Sequence, residues 1–242
     1  MSKKPTKAST KMDFSSIEPQ NPRQKQLIDF LRLQDMVIID GCAGTGKTFI
    51  TASMAAIMLQ AKMFERIIFT RPVVPTGRSI GYMPGDLNEK MAPWVTPFIE
   101  IMKRYLTIEE INNYTTKGII EVVPFEVMRG RNFDDSFIIL DEAQNATCHE
   151  IKMFLTRIGE YSKTVVLGDS NQSDLHWLQP NEESGLQMAK RLAKNVVGVP
   201  VVEFTSEDIV RSDLCKKWIQ AFEADHQRKW SDDISYLRDT SA

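Results

Sequence analysis

No stretch of the sequence stays apolar for the roughly 18 residues that a membrane-crossing helix needs. Nor does it open on a charged-then-apolar leader ending in a small-residue cleavage site. The expectation is a chain without membrane contacts that remains in the cytoplasm. Cysteine is scarce: Cys42, Cys148 and Cys215 are the three in 242 residues, and none forms a CxxC pair. That argues against a disulfide framework or a zinc ribbon and for reduced thiols. Neither sign of charge dominates, because 30 Lys and Arg oppose 32 Asp and Glu for a formal net charge of −2. The whole chain therefore exerts no pull on nucleic acid, which leaves only a local basic surface for that role. Internal repeats are also lacking.

What is present suffices for one large domain, with 42% hydrophobic and 26% charged residues. Residues 1–19 are expected to form a disordered arm, 20–224 the folded domain and 225–242 a polar tail. Between the ends, short apolar runs alternate with helical patterns. The runs are MVIID from Met36, RIIFT from Arg66, GIIEVV from Gly118, SFIILD from Ser136, KTVVLGD from Lys163 and PVVEFT from Pro200. Val- and Ile-rich runs suit strands covered on both faces, and their alternation with helices implies a mostly parallel sheet. A helix is expected over TFITASMAAIMLQAK after Lys47. Another is expected in HEIKMFLTRIG, where Ile151, Phe154, Leu155 and Ile158 recur at helical spacing and Gly159 ends the run. The connection from Arg71 to Leu106 reads as a loop that turns helical near Asp86, with Pro93 and Pro97 restricting regular helix. The fold class is α/β, three-layered, with its ligand at the carboxyl ends of the strands.

Gly41-Cys42-Ala43-Gly44-Thr45-Gly46-Lys47-Thr48 satisfies GxxxxGK[ST], directly after an apolar strand and directly before a helix. Glycines let the backbone N–H groups wrap a phosphate, and the helix start adds partial positive charge. In such a cradle Lys47 neutralises the β and γ phosphates and Thr48 places its hydroxyl on Mg²⁺. The run ending in Asp141 and Glu142 supplies acids at a strand end: Asp141 for the metal shell and Glu142 as general base toward water. The alternative is that the two acids cap a helix near Thr147. A second acid favours hydrolysis over transfer to an acceptor, and the lack of an NKxD signature favours ATP over GTP. Gln24 stands where a glutamine amide can read adenine, or is a solvent-facing helix residue. Gln172, in GDSNQ, is a γ-phosphate contact or part of a turn. Arg211 is a transition-state cation or a surface ion-pair partner.

Several segments carry a resemblance to the PhoH family of ATPases, related to superfamily 1 helicase cores. They are GCAGTGKT at 41–48, FTRPVV at 69–74, GYMPGDLNEKMAPWVTPF at 81–98, EVVPFEVMRGRNFDDSFIILDEAQNAT at 121–147, KMFLTRIGEYSKTVVLGDSNQSDL at 152–175 and FTSEDIVR at 204–211. The resemblance implies a RecA-like P-loop NTPase core, ATP and Mg²⁺ as ligands, and ATP hydrolysis coupled to single-stranded RNA in a ring of subunits, often a hexamer. It also implies that Arg211 looks like a motif VI arginine offered to a neighbouring subunit's nucleotide. Arg71, Arg129 and Arg131 become RNA or intersubunit contacts, with structural ion pairs as the alternative. Two features depart from the pattern. Only about 35 residues precede the first strand, which argues against an attached nuclease and leaves a ribonuclease as a separate partner. HWLQPNEESGL at 176–186 is longer than the connection expected there.

Overall fold

The structure is a computed structural model, and it describes residues 13–72, 87–172, 183–222 and 225, with the side chains of 87–94, 126 and 127 outside the description. Six parallel strands form one sheet in the order β3-β2-β4-β5-β1-β6. The strands are β1 (Met36–Gly41), β2 (Arg66–Thr70), β3 (Ile120–Val122), β4 (Ser136–Leu140), β5 (Lys163–Gly168) and β6 (Val201–Phe204). All six apolar runs become strands, the run from Gly118 shortened to three residues. Every residue of β4 and β5 is buried, as continuous apolar strands covered on both faces require.

The period of two along each strand divides the core into two layers. Val37, Ile39, Phe137, Ile139, Val165 and Leu167 point into a cluster with α1 (Pro22–Leu33), α2 (Lys47–Gln60) and α3 (Leu87–Met102). Ile38, Ile138, Leu140 and Val166 point the other way, against α5 (Cys148–Leu155) and α6 (Gly185–Ala193). The short α4 (Ile108–Thr116) leads into β3. A three-layer α/β fold follows.

Three expectations need correction. α3 runs through both Pro93 and Pro97. Its buried Val95, Phe98 and Met102 pack on the core, with the Phe98 ring centre 4.8 Å from that of Phe69. Pro97 is exposed, so water can take the hydrogen bond its missing N–H cannot make. Second, α5 stops at Leu155 with Thr156 as its cap; Gly159 instead donates its N–H to Phe133 O at 3.1 Å, beside a bridge between Phe133 and Ile158. Third, the folded part begins before residue 20: Ile17 is buried in the core and Phe14 lies beneath the Arg32 guanidinium at 5.1 Å. Residues 1–12, most of the tail, 73–86, which hold most of the loop expected after Arg71, and 173–182, which hold most of the HWLQPNEESGL segment, lie outside the described residues. Among the described residues no helix is long and apolar enough to cross a membrane.

Candidate functional site

The ends of β1, β4 and β5 meet around a cavity of about 630 Å³, within the size range of small-ligand sites. β5 lies between β1 and β4. Two strand spacings, roughly 9–10 Å, therefore separate the glycine loop from the acids, room for a phosphate and a cation between them.

The loop from Gly41 leads straight into α2, whose first residue is Lys47. Gly46 caps that helix in the left-handed region, φ 89°, and, being glycine, offers no side-chain cap bond to the first helical N–H groups. Those donors are left for an anion, next to the positive end of the helix dipole. A Cβ at Gly46 would stand 2.8 Å from Gln24 Nε2, and at Gly44, φ 83°, one would stand 2.9 Å from Arg211 Cγ. Only glycine combines that backbone shape with that closeness. Lys47 Nζ folds back on the loop, donating to Gly41 O and, at 2.8 Å, to Cys42 O. Burial pushes this ammonium below its ordinary value, opposed by Asp169, Cys42, Asp141 and Glu142. A cation so placed gains by exchanging carbonyl dipoles for phosphate charge. Thr45 donates its hydroxyl to Cys42 O at 3.0 Å and so shapes the loop from within, while Ala43 is exposed at its crest and Thr48 lines the cavity.

The acids stand opposite. Asp141 follows β4, its N–H held by Thr70 O at 2.9 Å. Burial, and after it the Glu142 charge, pushes the Asp141 carboxyl up to about 6, while Arg71 and Lys47 pull it down. Arg71 is thus placed beside the acids at the end of β2, not out on a separate surface. Glu142 has φ 54° and ψ 38°, a conformation that non-glycine residues adopt under local constraint. The constraint is visible: its N–H donates to Asp141 Oδ1 at 3.0 Å, and its Oε2 accepts from Gln144 Nε2 at 2.7 Å. Neither acid caps α5, which Thr147 does in a capping box with Glu150; Glu142 heads the short turn Ala143–Asn145 without a side-chain cap bond.

Gln24 is 4% exposed, not solvent-facing. Its Nε2 donates to Thr45 O at 2.9 Å and its Oε1 accepts the Gln20 N–H at 2.8 Å, so the amide braces the loop. Gln172 reaches the cavity from an exposed position after β5, its N–H on Asp169 O at 3.0 Å. Arg211 lies over its own chain's loop. Val210 N–H donates to Gly44 O at 3.0 Å and Asn21 Nδ2 to Asp208 O at 3.0 Å, which pins the segment there. Within this chain Arg211 lines the cavity beside the phosphate loop. Arg131 forms a two-pronged bond to Glu121 at 2.7 and 2.8 Å and sits 5.0 Å over the Phe133 ring, the ion-pair alternative for this residue. Arg129 is exposed nearby.

Sequence reasoning passed over four contributors. Gln144 and Asp169 stood inside quoted motifs without a role, although polar residues directly after apolar strands are the signal for them. Phe49 and Arg104 line a further wall, and nothing in their spacing foretells that they meet.

Among the described residues no group of three or more His, Cys, Asp or Glu could hold a metal alone. The Thr48 hydroxyl and the Asp141 carboxylate, both on the cavity, fit Mg²⁺, which binds through one or two protein oxygens together with phosphates.

The profile of the PhoH-like protein family matches residues 16–223. A PhoH-like protein of Bacillus subtilis is 38% identical over 208 residues, covering 86% of this chain and 64% of that one. One from Synechocystis is 40% identical over 202 residues, covering 83% and 60%, and protein PhoH of Escherichia coli is 38% identical over 213, covering 87% and 59%. This chain thus spans about three fifths of the length of these relatives. Among solved structures, the large terminase of a thermophilic bacteriophage overlaps with 84% of this chain and 50% of that one at 12% identity and a TM-score of 0.47, from which nothing about activity follows. With a family match over nearly all of the described core and relatives near 40% identity, the chain belongs to the PhoH-like protein family.

Proposed function

We propose that this chain binds Mg-ATP in the cavity and hydrolyses it, coupling turnover to single-stranded RNA as an oligomer. One observation carries the reading: a glycine loop at a helix start, with a half-buried lysine, faces a carboxylate pair across one cavity. In it, the triphosphate takes Lys47 from the carbonyls of Gly41 and Cys42. Thr48 and Asp141 would hold Mg²⁺, which would supply neutralisation of the phosphate charge. Glu142, aimed by Gln144, accepts the proton of the attacking water, and Gln172 orients that water or the γ phosphate. Arg211, over Gly44, stabilises the charge that develops on the transferred group.

A second reading has its own support: a nucleotide-switched module that assembles with an RNA-processing partner such as a ribonuclease. The Arg131 guanidinium, one of the candidate RNA contacts, is paired with Glu121, which favours this reading. The experiment is steady-state ATP hydrolysis by the purified chain with and without single-stranded RNA, together with its mass in solution. Mg²⁺-dependent turnover, abolished in Lys47→Ala and reduced by roughly 10² or more in Glu142→Gln, is expected. RNA stimulation of an oligomer supports the motor; RNA-indifferent turnover, or a monomer, supports the switch. Unchanged turnover in Glu142→Gln removes the role given to Glu142.

A further inference from the structure

The cavity continues past the phosphate loop to a wall that the phosphate chemistry does not use. Phe49, on the first turn of α2, is half-buried there, and the Arg104 guanidinium lies 4.9 Å from the centre of its ring. Pro97 and Ile101 of α3 line the same region. A triphosphate seated on the start of α2 fills only part of the space, so its sugar and base must occupy the remainder. A guanidinium over an aromatic ring, beside aliphatic side chains, is the chemistry that receives a flat heteroaromatic ring by stacking.

The group placed to read a base edge is already partly engaged. Gln24 spends its carbonyl on Gln20 N–H and an amide proton on Thr45 O. Strong discrimination between bases requires buried polar groups reserved for the base edge. The remaining polar groups on that side, Glu18 and Gln20, are exposed, where water competes for them.

We propose that Arg104 and Phe49 form the nucleobase platform of this site, holding the base by stacking, so that adenine and guanine nucleoside triphosphates are accepted with little preference. This rests on the nucleotide-binding reading above. It departs from the expectation of ATP over GTP, because every base offers a π-face and stacking is tolerant of its edge.

The test is equilibrium binding of Mg-ATP, Mg-GTP and Mg-tripolyphosphate to the unsubstituted chain, Arg104→Ala and Phe49→Leu. Arg104 is exposed, so its truncation does not endanger the fold. The two nucleotides are expected to bind within about fivefold of each other, since both stack. Arg104→Ala should weaken both by roughly tenfold or more and leave tripolyphosphate unchanged. Phe49→Leu should act in the same direction. Unchanged nucleotide binding in Arg104→Ala overturns the platform, as does an equal loss of tripolyphosphate, which would make Arg104 a phosphate attractor. A preference for ATP of more than about 100-fold also overturns it, since that demands edge reading. If the unsubstituted chain binds tripolyphosphate and these losses do not appear, only the platform fails. If it binds none of the three ligands, the nucleotide reading fails and the platform with it.

Discussion

Gln144 donates from Nε2 to Glu142 Oε2 at 2.7 Å while its Oε1 accepts the Asp169 N–H at 3.1 Å, so one amide ties the ends of β4 and β5 together. Gln144 is 2% exposed and therefore bonded from both ends at little loss to water. Glu142 sits at φ 54°, a backbone shape that needs such support. Gln144→Ala is expected to lower single-turnover hydrolysis about tenfold or more, because a carboxylate displaced by an ångström is a poor base. Nucleotide affinity should change little, since the amide's bonds to Glu142 and Asp169 lie on the acid side of the cavity. Freeing the Asp169 N–H should also cost about 1–3 kcal/mol of stability. Equal losses of affinity and rate would instead make Gln144 a purely structural residue.

Asp141 has a pH signature of its own. Its carboxyl titrates near 6 in the folded chain against 3.8 as the ordinary value, so the folded state holds the proton more tightly. The destabilising contribution is absent below the lower value, grows between the two and is complete above about 6. Thermal stability of the ligand-free chain should therefore gain a component as pH falls from 7 to 5. Asp141→Asn should remove that component and stabilise the ligand-free protein at pH 7.5 by on the order of 1–3 kcal/mol, while abolishing Mg²⁺-dependent turnover. Melting curves of both proteins across this range check it; a less stable Asn variant at pH 7.5 would show that the charged carboxylate is favoured in the fold.

The legible parts of the sequence are those fixed by neighbours in the chain. Strands could be read because Val and Ile runs such as Lys163–Gly168 are buried on both faces, and the phosphate loop because its function requires a local spacing. What could not be read depends on partners distant in sequence. α3 tolerates Pro93 and Pro97 because Phe98 and Met102 find a core that a local propensity rule does not contain. The sequence leaves Arg131 open as a nucleic-acid contact or an ion-pair partner, because the Glu121 that meets its guanidinium is brought there only by the fold. Gln24 does line the cavity, but its bonds to Thr45 and Gln20 belong to tertiary structure.

Asp40, an acid inside an apolar strand, illustrates the same dependence. It is 7% exposed and accepts the Ser170 N–H at 2.8 Å, the Ser170 hydroxyl at 2.7 Å and Lys190 Nζ, which also reaches Glu203 at 2.7 Å. Burial alone would raise the Asp40 carboxyl, but hydrogen bonds from Lys190 and Ser170 hold it below its ordinary value. The network joins β1, next to the phosphate loop, to the turn that carries Gln172. Lys190→Ala should destabilise the protein by on the order of 2–4 kcal/mol near pH 7, because a buried carboxylate loses its cation. Adding Asp40→Asn should recover part of that loss. Denaturant unfolding of the single and double variants measures the coupling, and strict additivity would show that the pair is energetically idle.

Arg211 offers the sharpest test of how the site is assembled. Its Cγ stands where a Cβ on Gly44 would come within 2.9 Å, and the next residue upstream bonds to Gly44 O, so within this chain the side chain lies at its own cavity. Arg211→Ala should therefore keep nucleotide binding and reduce turnover by roughly 10² or more, the range for a cation acting on the transferred phosphoryl group. Mixing Arg211→Ala with Lys47→Ala separates the two geometries. If Arg211 acts within its own chain, every site in the mixture lacks either Lys47 or Arg211, and hydrolysis stays at the level of the inactive variants. If it acts across an interface, some sites receive an intact Lys47 from one subunit and an intact Arg211 from the other, and activity returns. Absence of rescue is the expected result, provided that light scattering shows the variants mixing into any oligomer that forms. Restored turnover would mean that the segment after β6 leaves Gly44 and swings to a neighbour when subunits assemble.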